Sequence, residues 1–213
     1  TQMTNWIKAK NAIDPVIELA IAQDYKRKLS QIYTIIGAHN MWIEEDIPAA
    51  IANLNKAIKI SEEVGDFISL VLANYHLGGT LTYNSEFEKS DLCFKKAIDI
   101  NLAANNPWGV SSIKGTQCIN SYFLSGRIDL CHKASTEAIS IADESGGVLS
   151  KAVTYTGYGI SLFGKGLFKE GKKYLLKGID LSKNINLHMF EMAGHLAIAE
   201  TLFLLKEYQK SIE

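Results

Sequence analysis

Cysteine and proline are scarce in this chain of 213 residues, with three of each. An odd, sparse set of cysteines (Cys93, Cys118, Cys131) makes no disulfide framework. None stands in a Cys-x-x-Cys pair, which removes support for zinc-finger or thioredoxin chemistry. The thiols are therefore expected to be reduced and buried. Few prolines leave room for long uninterrupted helices. Net charge is −1, so the chain lacks the broad cationic footprint of a nucleic-acid binder. Apolar runs such as 16–22 and 196–205 are too short or too interrupted to span a bilayer. No charged, apolar and cleavage-site segments of a signal peptide open the sequence. What is abundant is apolar content, 47% of residues, enough for a core and against intrinsic disorder.

The apolar residues repeat. Lys56–Ile60, Lys96–Ile100, Glu137–Ile141 and Lys177–Leu181 resemble one another, with starts 40, 41 and 40 residues apart. Each holds a small residue: Ala57, Ala97, Ala138 or Gly178. Ten positions before each stands a large apolar residue: Ile47, Phe87, Ile128 or Phe168. Two positions before those, Glu45, Ser85, Gly126 and Gly166 lie in stretches that read as turns. A second break follows each unit, at Gly65-Asp66, Asn105-Asn106-Pro107, Gly146-Gly147 and 184–186. Within each arm, apolar residues recur at three- and four-residue steps, as Leu77, Leu81, Phe94, Ala97 and Ile98 do. Each unit thus reads as two antiparallel helices of roughly fifteen residues. Close helix crossings need small side chains. Gly78 and Gly159 suit the first-helix crossing, Ala38 fills that place in the first unit, and Ile119 in the third departs from the rule.

These residues resemble tetratricopeptide repeats. The second unit carries Leu77-Gly78, Leu81, Phe87, Phe94 and Ala97; the fourth carries Tyr158-Gly159, Leu162, Gly166, Phe168 and Leu175. The first has Met41, Ile47, Ala50, Leu54 and Ala57, while the third keeps Tyr122, Gly126, Ile128 and Ala138 but holds Cys131 and Ser135 where Ala and Phe are usual. A fifth first helix follows, with Ile198-Ala199, Leu202 and Tyr208 in step, and residues 13–28 resemble the second helix of a preceding repeat. The forty-residue period resembles the longer variant of kinesin light chains, Pins-type adaptors, and arrays attached to bacterial signalling ATPases and maltose-regulator-like activators. The resemblance implies an all-α, right-handed superhelical solenoid of antiparallel helix pairs. One array would run over 1–213: a partial repeat at 1–30, repeats at 31–70, 71–110, 111–151 and 152–191, and a partial repeat at 192–213. The ends read as cuts in a longer protein.

The resemblance also implies a concave groove lined by first helices. Its lining would include His39, Trp42, Tyr75, Tyr83, Asn120, Phe123, Phe163, Glu200 and Phe203, with Thr82 breaking the aromatic slot. Such a groove binds an extended or helical peptide. The family's carboxylate clamp is missing, because Ile35, His39, Tyr75 and Gly79 occupy its places. The expected role is a non-enzymatic scaffold for a protein or peptide partner within a cytoplasmic signalling or regulatory protein. The alternative is a small-ligand sensor with His39, Asn120 and Glu200 as polar anchors. Exposed ends of the array, including Leu202, Leu204 and Leu205, offer a route to homo-oligomers. No cofactor, metal site, nucleic acid or membrane is expected: the five histidines have no compact ligand spacing, and the glycine strings at 157–159 and 164–166 are not phosphate loops.

Overall fold

The structure, a computed structural model, describes residues 2–207. Among the described residues there are ten α-helices and no strands. They are α1 (Gln2–Ala22), α2 (Lys26–His39), α3 (Ile47–Val64), α4 (Phe67–Tyr83), α5 (Phe87–Ala103), α6 (Pro107–Gln117), α7 (Ile128–Ser145), α8 (Val148–Gly164), α9 (Phe168–Asn184) and α10 (His188–Leu204). Two helices end in π-helical turns: α2 runs into Asn40–Glu44 and α6 into Cys118–Phe123.

The helices stop where the backbone turns left-handed. Among the described residues ten have positive φ: Asp24, Glu45, Gly65, Ser85, Asn105, Gly126, Gly146, Gly166, Asn186 and Lys206. Their spacings are 21, 20, 20, 20, 21, 20, 20, 20 and 20 residues. A left-handed residue just past a helix lets the next amide reach back to an orphan carbonyl. That bond recurs as Asp66 N to Ser61 O, Glu86 N to Leu81 O, Arg127 N to Tyr122 O, Leu167 N to Leu162 O and Leu187 N to Ser182 O, all 2.8–2.9 Å. Three of the helices start on a side-chain cap: Asp46 accepts from Ala49 N, Asp66 from Ser69 N and Asn106 from Gly109 N.

Only two intervals are 21 residues long, and they hold the two π-helical turns. A π turn accommodates one extra residue without breaking the helix. The inserted residue is absorbed there, and the loops keep their beat. At the first such turn the closing bond spans one residue more, Asp46 N to Asn40 O.

This beat corrects the alignment of small residues. The slot thirteen residues past a left-handed residue holds Gly37, Gly78, Cys118, Gly159 and Ala199, so Ala38 and Ile119 do not occupy it. A Cβ at Gly37 would come within 2.6 Å of Leu54 Cγ, one at Gly159 within 2.6 Å of Leu175 Cγ, and one at Gly78 within 3.0 Å of the Phe94 ring. Leu54, Phe94 and Leu175 are fully buried knobs at one register position of the second helices. Ala57, Ala97, Ala138 and Gly178 are likewise buried, each in a second helix.

The chain divides into two compact units, Thr1–Ala104 and Asn105–Glu213. In the first, successive helices α1 to α5 pack in chain order and α2 also meets α4. Its core clusters form around Ala20, Leu29 and Ile32, and around Leu54, Leu77 and Leu81. In the second, α6 to α10 pack in chain order, and α8 touches both α6 and α10. One cluster joins Ala152, Val153, Leu187 and Phe190; another joins Ile160, Leu175 and Ala197. The first helix differs from expectation. It spans Gln2–Ala22 and continues through Pro15, the chain turns at Asp24, and Lys26–Lys28 already belong to α2. Tyr208 lies outside the described residues.

Candidate functional site

In the first unit the π-helical turn after α2 widens the backbone and carries a mixed polar and aromatic group. Trp42 meets Tyr83 at the end of α4 edge-on, with ring centroids 5.8 Å apart. Tyr83 is 50% exposed. Beside them, Asn40 donates to Glu44 and accepts from Asn53 Nδ2 at 3.0 Å. His39 is buried, and its Nδ1 has no hydrogen-bond partner. Its near charge is Glu44 Oε1, 3.5 Å away. Thr82, the break in the aromatic slot, is buried: its hydroxyl lies 2.8 Å from Ser90 Oγ and donates to Gly78 O. The slot is lost there because Thr82 secures the α4–α5 crossing.

Tyr75 belongs to a different ring chain. Trp6 meets His76 edge-on at 5.1 Å, His76 meets Tyr75 at 5.1 Å, and Tyr75 meets the buried Phe94 at 6.3 Å. Sequence reasoning passed over Trp6 and His76.

Burial among these rings holds the His76 pKa down to about 4, from its ordinary 6.5. The folded protein therefore keeps His76 neutral at pH values where the unfolded chain protonates it. Above 6.5 there is no penalty; as pH falls from 6.5 toward 4 the unfolded state binds the extra proton and stability drops. The expected loss from this residue is about 2 kcal/mol between pH 7 and pH 5. Urea titrations at the two pH values check it: His76→Gln should flatten the difference by that amount.

In the second unit Phe123 and Phe163 pack against the cluster of Ile160, Leu175 and Ala197. Asn120 lies half-buried within the π-helical turn. Glu200 and Phe203 are exposed on α10 and, with Leu196, Ala199 and Leu204, line an open groove of about 420 Å³. The second unit also holds a cluster that sequence reasoning missed. His132 stacks on Tyr158 at 5.6 Å, Tyr158 meets Tyr174 at 4.8 Å, and Lys177 lies 5.5 Å from the Tyr155 and Tyr174 rings. Tyr155 donates to Asp143 at 2.6 Å. Burial, reinforced by that carboxylate, pushes its hydroxyl up to about 12.

The expectation of three reduced thiols also changes. Cys118 and Cys131 are bonded, with Cα atoms 4.4 Å apart, and Cys93 is the free thiol. Among the described residues no three His, Cys, Asp or Glu side chains cluster to hold a metal ion, and no helix is long and apolar enough to cross a membrane. Comparison with protein-family models and with curated proteins finds no match.

Proposed function

We propose that this chain is a tetratricopeptide-like solenoid that works as a scaffold, without catalysis, holding a peptide segment of a protein partner in a cytoplasmic signalling or regulatory protein. What supports the reading is the Trp42–Tyr83 pair. The half-buried Trp42, in the π-helical turn after α2, and the exposed Tyr83, at the end of α4, are two amphipathic rings that meet edge-on. Rings of this kind give large contact area at low entropic cost and dominate peptide recognition. The beat of left-handed residues supports the array, since it makes each half-repeat one helix and one turn.

The test is selection of binders from a displayed peptide library, followed by Trp42→Ala and Tyr83→Ala. Affinity for selected peptides should fall at least about tenfold for each variant. Unchanged affinity in both would remove this face from the account. A small polar ligand is the second reading, favoured by the buried His39 Nδ1, which makes no hydrogen bond. A ligand of that kind raises the melting temperature of the wild type and not of His39→Ala.

A further inference from the structure

We propose that Cys118 and Cys131 form a reversible disulfide staple that replaces the apolar knob in one helix pair, so that redox state sets how tightly α6 and α7 are held together. The inference goes beyond the scaffold reading and does not depend on it. In three helix pairs a fully buried Leu or Phe seats on a glycine: Leu54 on Gly37, Phe94 on Gly78 and Leu175 on Gly159. In the pair α6–α7 the knob position is Ser135 and the glycine position is Cys118. Ser135 is buried but polar, with its hydroxyl 3.1 Å from both His132 O and Ser161 Oγ, so it supplies no knob. Cys131 sits where the other second helices carry the small residues Ala50, Ser90 and Gly171. Both cysteines are fully buried, and their Cα atoms lie 4.4 Å apart, within the span a disulfide bridges.

The reduced state also has a place to go. Cys118 Sγ lies 3.4 Å from the carbonyl oxygen of Gly157 on α8. As a thiol it donates there, toward the next helix pair; as a disulfide it is tied to α7. The Cys118 backbone opens the π-helical turn, where helix hydrogen bonding is already altered.

The oxidant is a low-molecular-weight disulfide. On local opening of the helix pair, one cysteine thiolate attacks it, forming a mixed disulfide and releasing one small thiol. The second thiolate then displaces the other small thiol as the Cys118–Cys131 bond closes. Two cysteine thiols are oxidised, one small disulfide is reduced to two thiols, and the two cysteine protons end on those thiols. Cys93 stands outside the pair and remains the free thiol.

The full chain, equilibrated in reduced or oxidised glutathione, is denatured, alkylated with iodoacetamide and weighed by intact-mass spectrometry. The reduced sample should carry three alkyl groups and the oxidised sample one. The oxidised form should melt about 5–10 °C higher. Cys118→Ala/Cys131→Ala takes residues found at the matching slots, Ala199 and Ala50, and should lose the oxidation dependence. Cys131→Ser, which copies Ser90 at the matching slot of α5, gives the same reading should the double variant not fold. Three alkyl groups in oxidised glutathione, one alkyl group in both buffers, or equal melting temperatures for the two forms would each overturn the proposal.

Discussion

Phe94→Ala should destabilise the first unit by about 3–5 kcal/mol, the cost of emptying a fully buried aromatic site. Phe94 is 0% exposed, its ring edge lies against the Gly78 backbone, and Tyr75 meets it from the side. The surroundings cannot collapse into the space, because Ser90 Oγ donates to Gly78 O at 2.7 Å and fixes the α4–α5 distance. Urea unfolding followed by circular dichroism measures the loss. Ser135→Ala, at the matching position of α7, is the comparison: it should cost less than about 1.5 kcal/mol, because only hydroxyl hydrogen bonds are removed. Equal losses for the two would mean that the knobs do not govern the pairing.

Gly159→Val should cost about 3 kcal/mol or more, at the upper end of overpacking. The first added carbon alone would stand 2.6 Å from Leu175 Cγ and 2.9 Å from the Leu175 backbone nitrogen. A side chain can rotate away; a backbone nitrogen inside α9 cannot move without the helix. Valine's better helix propensity than glycine offsets only a few tenths of a kcal/mol. Ala199→Val, in the same slot of α10, is the control. Ala199 borders the open groove on α10, and its substitution should stay within about 0.5 kcal/mol. Thermal melts of both variants separate a packing effect from a general intolerance of valine in these helices.

Much of the architecture was legible because its period is carried by residues with one physical job each. Ala57, Ala97, Ala138 and Gly178 mark the second helices, and Glu45, Ser85, Gly126 and Gly166 mark the turns; all four turn residues adopt positive φ. The first-helix crossing was misread by one position in two units. Counting back from the following turn gives Ala38 and Ile119, whereas counting forward from the preceding turn gives Gly37 and Cys118. The two counts differ by the residue taken up in each π-helical turn, and no local propensity announces a π turn. The cysteine pairing was hidden for the same reason: Cys118 faces Cys131 only once it is moved into the glycine slot. Of the candidate site, the Trp42–Tyr83 contact joins two residues already singled out. The ring chain through Trp6 and His76 joins helices far apart in sequence, and single-helix patterns do not encode such a meeting.

The regular beat of left-handed residues makes the gene a ruler with interchangeable segments. Removing the stretch between any two second-loop turns, or copying it once more, leaves every junction with the same backbone handedness. Chains of this design can therefore lengthen or shorten by whole hairpins through recombination. A single extra residue, in contrast, is accommodated where a first helix swells into a π turn, as in the two 21-residue intervals.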